Sequence, residues 1–242
     1  MTGRPEYSGS FLDKIVEGLL VLLPPAALLG PWAGSGRVFG YRILVVLLVG
    51  CAVTGWIYPA WVRRFSRAAC ASVVVAVAWA VTGVVGAMRL GPRRDLSSLM
   101  GAGLALAGAW SVARLISDRH IRRERALRDV AIGWAVAVWA GAPLAVWEIL
   151  TARHLGTYAD GAWRNHPGLY RQPATWLTNP NLYAVFLAVG SVWVGVVGVR
   201  SATRWVRIAA IATAVTGLGL LLATDSRIVY AALLLAVMVR LW

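Results

Sequence analysis

Long, uninterrupted apolar runs are the feature of this sequence that most restricts its fold. The run at 182–199, for example, contains no charged residue, and hydrophobic residues make up 59% of the chain. A helix needs about 20 apolar residues to cross a bilayer. In lipid the backbone must satisfy its own hydrogen bonds, which favours helices. The runs therefore predict an integral membrane protein built from transmembrane helices.

The spacing of the runs predicts an all-α, polytopic transmembrane helical bundle of about eight spans. We expect these spans to form a single transmembrane domain over residues 1–242. Pro24 and Pro25 are expected to kink or break the first span. The expected spans lie at 15–32, 38–61, 68–90, 96–117, 130–150, 182–199, 208–223 and 228–242.

The placement of the arginines predicts the orientation of the chain in the membrane. If the N-terminus is cytoplasmic and the spans alternate, most arginines fall on the inner side, as the positive-inside rule favours. The segment DRHIRRERALRD at 118–129 is the strongest inside marker. We therefore expect a cytoplasmic N-terminus and one sizeable outer loop at 151–178.

Two classes of binding site find no support in the sequence. The formal net charge is +14, but there is no RNA-binding motif and no long basic stripe, so we do not expect nucleic-acid binding. The chain has three histidines and two cysteines without a Cys-x-x-Cys motif, so we expect no metal site.

The outer loop ends in TNPNLYAVFLAV, which has the signs of a helix start. Asn179 is a good N-cap, and Pro180 suits the first helical position, where its missing N–H costs nothing. Asn181 adds a second amide to the first turn. The sixth span is therefore predicted to begin here, with its N-terminus facing outward.

A second polar helix start is expected in ATDSRIVY at 223–230. Thr224, Asp225 and Ser226 are all possible N-caps for the eighth span, and Arg227 would lie in its first turn. A cation is unfavourable there because the helix dipole is positive at that end. Asp225 would compensate Arg227, or an anion would complete the site, since free N–H groups and a guanidinium suit a phosphate.

Each of these features also has a purely structural explanation. Asn179 and Pro180 would then serve only as a helix start. Arg227 would extend to the water at the outer interface. Glu148, near the outer end of the fifth span, would pair with Arg153 or with another outer arginine.

The two polar segments, TNPNLYAVFLAV and LLATDSRIVYAALLL, together resemble the O-antigen ligase and polymerase family of bacterial membrane glycosyltransferases. That family typically shows an Asn-Pro-Asn helix start and later a Thr-x-Ser-Arg turn before an apolar helix. The segment WEILTARHL at 147–155 resembles a further stretch of some members, with Ala152 where glycine is usual. The matching positions are Asn179, Pro180, Asn181, Ala184, Thr224, Ser226 and Arg227.

The resemblance implies a GT-C type of architecture in the bacterial cytoplasmic (inner) membrane. It implies transfer of a glycan from undecaprenyl pyrophosphate to a lipid, glycan or protein acceptor on the outer face. No metal, cofactor or nucleotide sugar would take part. Arg227 would be the pyrophosphate clamp, with Ser226, Asn179 and Asn181 as further contacts. The outer-loop side chains expected to contribute are Glu148, Arg153, His154 and Arg171.

One part of the family pattern has no counterpart in this sequence. Family members carry a large outer loop, after the helices matched here, with another arginine and a histidine. His154 and His166 lie earlier and do not match that histidine by position. We therefore expect a truncated member, a fragment, or a short relative without catalysis, and we assign no general base from the sequence.

The alternative class is a non-catalytic polytopic membrane protein, either a transporter or flippase-like subunit or a scaffold. A transporter usually places charged residues or broken helices near the bilayer midplane. Here the polar residues gather at the outer ends of the spans, which favours binding or chemistry at the outer interface. Small residues at 101–109 and 195–198 would permit close helix contacts in either case.

Overall fold

The computed structural model describes residues 11–29, 34–35, 38–57, 103, 106–112, 123–154, 171–177, 180–227 and 229–234. The chain divides into two compact units. The first comprises Met1–Leu23 and Gly40–Asp129, and the second comprises Pro24–Phe39 and Val130–Trp242. Two of the helices cross this division. The part that the structure describes is almost entirely helical.

The N-terminal helix α1 spans Phe11–Leu29 and contains Pro24 and Pro25. It runs through both prolines, so the helix does not break there, and the alternative of a kink stays a prediction. The division between the two units falls at Leu23 and Pro24. A short hairpin with two-residue strands follows, in which β1 (Gly34–Ser35) pairs antiparallel with β2 (Val38–Phe39). Helix α2 then spans Gly40–Ile57.

Three helices of the described chain are long and apolar enough to cross a membrane. They are α3 (Arg123–Thr151), α4 (Pro180–Val199) and α5 (Arg204–Ala223). Helices of 20 residues are about 30 Å long, which matches the hydrocarbon thickness of a bilayer. The protein is therefore a helical membrane protein, as the apolar runs predicted.

The other expected spans are represented in part. Helices α1 and α2 cover the first two apolar runs, and α1 carries Asp13, Lys14 and Glu17 in its first two turns. Residues 106–112 are helical within the fourth run, and residues 227 and 229–234 are helical at the start of the eighth. The third run, at 68–90, lies outside the described residues.

The helices extend further into charged sequence than the apolar runs do. Helix α3 begins at Arg123 and not at residue 130, and α5 begins at Arg204 and not at residue 208. Arginine is a good helix former, and its charged group reaches water from a helix end at the membrane surface. Half of the α4 span is buried within the protein, against 39% of the α3 span and 28% of the α5 span, so α4 is the most buried of the three.

Small residues allow these helices to pack closely. A side chain at Gly198 of α4 would collide with Ala210 of α5, and one at Gly190 would meet the ring of Trp134 on α3. The expectation of close contacts at 195–198 is therefore confirmed. Trp139 of α3 also donates a hydrogen bond from Nε1 to Thr213 Oγ1 of α5, at 2.9 Å.

The large apolar side chains of these helices divide into a core and an outer surface. The core of the second unit contains Leu28, Val138, Tyr183, Leu187 and Leu221, all nearly inaccessible. Many others are about half exposed, and in a membrane the bilayer covers them. Examples are Ile132, Val136, Val192, Val196, Ile211 and Val215.

Candidate functional site

The sequence Thr224-Asp225-Ser226 forms the turn between α5 and the next helix, which begins at Arg227 and which we call the last helix. Thr224 is the C-cap of α5, and its backbone N–H donates to the carbonyl oxygen of Leu221 at 3.0 Å, while the N–H of Asp225 donates to that of Leu222 at 3.3 Å. Asp225 has a φ of 51°, in the left-handed region that aspartate tolerates better than most residues. Two of the three possible N-caps therefore have other roles: Thr224 ends α5, and Asp225 forms the turn.

Ser226 precedes the last helix. Its carbonyl oxygen accepts hydrogen bonds from the backbone N–H groups of Val229 and Tyr230, each at 3.1 Å. Ser226 therefore has the backbone position of an N-cap, and Arg227 is the first helical residue after it. The prediction that Arg227 lies in the first turn of this helix is confirmed.

Ser226 also joins this helix start to that of α4. The Ser226 hydroxyl donates to Asn181 Oδ1 at 2.9 Å, and the Ser226 side chain is buried. Helix α4 begins at Pro180, as predicted, and Asn181 is its second residue. Asn179 lies outside the described residues. The two polar helix starts that the sequence singled out are thus in direct contact.

Arg227 is exposed beside this contact. Among the described residues it forms no direct ion pair, with Asp225 or with another carboxylate. A guanidinium in the first turn of a helix lies in an unfavourable dipole field. Arg227 therefore adds to a positive potential at this point of the surface.

Tyr230 has a structural role that the sequence did not predict. Its hydroxyl donates to the carbonyl oxygens of Leu222, at 2.9 Å, and Leu221, at 3.2 Å. The last turn of a helix has carbonyls without helical partners. The single O–H of Tyr230 is shared between two of them and adds to the bonds that they accept from Thr224 and Asp225. The bond fixes the first turn of the last helix against the end of α5, and so holds Ser226 in place.

Glu148 occupies a second buried polar position, at the end of α3. Its carboxylate oxygen Oε2 accepts hydrogen bonds from the backbone N–H groups of Ala174, at 2.8 Å, and Thr175, at 2.9 Å. Thr175 opens a short 3-10 helix, Thr175–Leu177, and has a φ of 52°. The carboxylate thereby fastens the segment before α4 to the end of α3.

The other carboxylate oxygen of Glu148 faces a histidine. His154 Nδ1 lies 3.3 Å from Glu148 Oε1, and both side chains are at least nine-tenths buried. The expected pairing of Glu148 with Arg153 is not formed. Within the part of the chain that the structure describes, Arg153 and Arg171 are exposed and make no ion pair.

All these groups lie at one end of the second unit. Side chains from three segments pack on the apolar cluster that contains Tyr183, a residue in the first turns of α4. The segments are the end of α3, the 3-10 helix and the start of the last helix. The packed side chains are Ile149, Trp176, Leu177 and Tyr230. The contact of Asn181 with Ser226 and the pair of Glu148 with His154 are therefore two polar features of the same end, which we call the polar end.

The described side chains at the polar end do not have the composition of a metal site. The described residues contain no group of three or more histidine, cysteine, aspartate or glutamate side chains placed to hold a metal ion. The chemistry available there consists of exposed guanidinium groups, polarised helix starts, amides, hydroxyls and one buried carboxylate with its imidazole.

No known family model, curated protein or solved structure matches the chain.

Proposed function

We propose that the polar end binds the pyrophosphate of a lipid-linked glycan. The observation that carries the proposal is the 2.9 Å hydrogen bond between Ser226 and Asn181, which puts the starts of two helices side by side. A helix N-terminus carries roughly half a positive charge and several unsatisfied N–H donors. Two such ends, with Arg227 beside them, suit a ligand with two adjacent anionic groups.

The ligand class is supported by where the polar end lies. The helices that form it are long enough to span a membrane, so their ends are expected at the level of the lipid head groups. A polyprenyl pyrophosphate is a ligand that places a diphosphate at the level of the lipid head groups. Arginine binds phosphate oxygens through two parallel N–H groups, which gives orientation as well as affinity.

The proposed reaction is that of the O-antigen ligase and polymerase family, which the segments around Asn181 and Arg227 resemble. A hydroxyl oxygen of a lipid, glycan or protein acceptor forms a bond with the anomeric carbon of the glycan. The bond from that carbon to the pyrophosphate breaks, and its electron pair leaves with undecaprenyl pyrophosphate. The growing charge on the leaving group would be stabilised by Arg227 and the two helix starts.

The proposal includes the finer features expected of this chain. From the sequence these are about eight spans and a cytoplasmic N-terminus. From the resemblance they are a GT-C type of architecture and the polar end on the outer face of the bacterial inner membrane. They are supported by the apolar runs, by the arginine distribution and by the resemblance.

Binding by the purified full chain tests the proposal. Fluorescent undecaprenyl pyrophosphate, with undecaprenol as the uncharged probe, is titrated against the protein in lipid nanodiscs. We expect the Arg227→Ala variant to bind the pyrophosphate about 10- to 100-fold more weakly, the usual loss for a hydrogen-bonded charge. Arg227→Lys should lose less, since the charge remains without the two-pronged geometry.

Arg207→Ala is the matched control. Arg207 is also exposed but lies in the first turn of α5, about 25 Å along the helix from its other end. The Arg207→Ala variant should bind the pyrophosphate with the affinity of the wild type. Equal binding of pyrophosphate and undecaprenol, or equal losses in the two arginine variants, would reject the site and favour the non-catalytic alternative.

A further inference from the structure

Three arginines at the turn between α4 and α5 have no part in the proposed function. Arg200 follows the end of α4, and Arg204 and Arg207 lie in the first turn of α5. All three are exposed, and among the described residues none of them forms an ion pair. The described carboxylates of the second unit, Glu148 and Asp225, lie at the polar end. Within the described part of this unit, the turn therefore carries three positive charges without a countercharge.

Helix stability does not account for the arginines of α5. The first turn of a helix lies at the positive end of the helix dipole, where a cation is unfavourable. The packing of α4 against α5 near this turn is formed by small residues, since a side chain at Gly198 would collide with Ala210. An anion from outside the protein would therefore stabilise this end of α5.

An apolar stripe on α5 begins next to the arginines. Residues three and four positions apart are neighbours on a helix surface, so Arg204 lies above Ile208, and Arg207 lies above Ile211. The same spacing continues along the helix with side chains that are 40% to 69% exposed, so this face points away from the core. The stripe consists of Ile208, Ile211, Val215, Leu218 and Leu222.

Trp205 indicates the level of this turn in the membrane. It lies between the two arginines in sequence and is 76% exposed. Tryptophan is enriched at the boundary between membrane and water, because its ring is apolar and its N–H is polar. Helix α5 is also long enough to span the hydrocarbon layer. The guanidinium groups of Arg204 and Arg207 are therefore expected at the depth of the lipid phosphates.

A phospholipid has the same order of chemical groups as this surface. Its phosphate lies in the head-group layer, and its acyl chains extend from there towards the middle of the bilayer. A guanidinium binds phosphate oxygens through two parallel N–H groups. The apolar stripe offers the acyl chains a surface directly below the arginines. A free phosphate would use the arginines alone.

We propose that Arg204 and Arg207 bind the phosphate of an anionic phospholipid, with an acyl chain of that lipid along the apolar stripe. Arg200 adds to the positive potential at the same turn. The head group carries a net negative charge, because a zwitterionic head group would bring a second cation to the arginines. The attraction contributes about 5-fold in binding for each arginine near an anionic surface. Salt weakens it by screening.

Binding of a labelled lipid to the purified full chain in neutral detergent tests the site. The probe is fluorescent phosphatidylglycerol, and phosphatidylcholine with the same label and chains is the zwitterionic comparison. We expect the wild type to bind phosphatidylglycerol about 10-fold more tightly than phosphatidylcholine, or better. The double variant Arg204→Gln/Arg207→Gln should bind phosphatidylglycerol about 10- to 30-fold more weakly than the wild type. A wild type without preference between the two lipids would overturn the proposal.

The double variant Arg153→Gln/Arg171→Gln is the charge-matched control. It removes two exposed arginines from the polar end, so both double variants have the same net charge. The control should bind phosphatidylglycerol with the affinity of the wild type. Equal losses in the two double variants would overturn the proposal, because they would show attraction to the charge of the whole protein. Both variants should melt at the wild-type temperature without phosphatidylglycerol, since these arginines form no ion pair within the described residues.

Competition with soluble glycerol phosphate separates a lipid site from a site for a free anion. Glycerol phosphate has the phosphate of the lipid without its acyl chains. Unlabelled phosphatidylglycerol should displace the probe, and glycerol phosphate at the same concentration should leave it bound. Displacement by both competitors at equal concentrations would overturn the lipid site.

Discussion

The two ends of the α4 and α5 pair are both polar in sequence but differ in how the structure uses their polar residues. At the polar end, Glu148, Thr175, Thr224 and Ser226 are buried. At the opposite end, which we call the arginine end, Arg200, Arg204 and Arg207 are exposed, as is every residue from 202 to 209. One end has polar groups inside the fold, and the other has them only on its surface.

This difference teaches which polar residues carry information about function. An exposed arginine keeps its hydration and can serve topology or solubility without any partner. A buried polar group costs free energy unless the fold supplies hydrogen bonds for it. At the polar end the fold supplies several, at 2.7 to 2.9 Å, to Glu148, Thr224 and Ser226. The arginine end is instead held by close packing, with Gly198 against Ala210.

The largest effect is expected from removing the buried carboxylate. Glu148→Ala leaves the N–H groups of Ala174 and Thr175 buried without an acceptor, at a cost of about 1–3 kcal/mol each. We expect the free energy of unfolding in detergent to fall by about 2–5 kcal/mol in total. Arg207→Ala, at the other end, should leave it unchanged. Similar values for the two variants would remove the contrast between the ends.

The second-largest effect is expected from disturbing the close packing at the arginine end. Gly198→Ala should lower the free energy of unfolding by about 1–3 kcal/mol, because the new methyl group collides with the Ala210 side chain. Gly219→Ala is the control on the same helix pair, since a methyl group there meets no atom within 4 Å. It should be neutral or stabilising by up to about 1 kcal/mol, since alanine is the better helix former. If Gly198→Ala is as harmless as Gly219→Ala, close packing does not hold this end.

The smallest effect concerns backbone strain at the polar end. Ala152→Gly should raise the melting temperature, because a φ of 54° costs an alanine about 1 kcal/mol that a glycine does not pay. Ala140→Gly, at an exposed position inside α3, should lower it by a similar amount. A drop in both variants would mean that the left-handed conformation at 152 is not maintained in solution.

The helices were predictable from the sequence to different degrees. Runs of apolar residues long enough to cross lipid can form little else, so α3, α4 and α5 appear where the runs predicted. Their starts were less certain, because arginine extends a helix without adding to its hydropathy. Pro180 was the exception: its missing N–H suits the first helical position and marked the start of α4 correctly.

The polar end was predictable only in outline. The sequence singled out Asn181, Ser226 and Arg227 as residues of two helix starts, but not the bond that joins two of them. It also suggested Arg153 as the partner of Glu148. His154 takes that place because the left-handed Ala152 redirects the chain after α3. The glycine that usually stands at this position in the resembling family was the available signal, since glycine favours a positive φ.

The sequence by itself determined that this is a helical membrane protein with polar, arginine-bearing helix ends, because hydropathy and helix-start chemistry are local properties. Only the tertiary structure decided which polar ends meet and which side chains are buried together. Those contacts join residues far apart in the chain, such as Asn181 with Ser226 and Glu148 with Thr175. They depend on how the helices pack, and packing is set by the shapes of all the side chains between them.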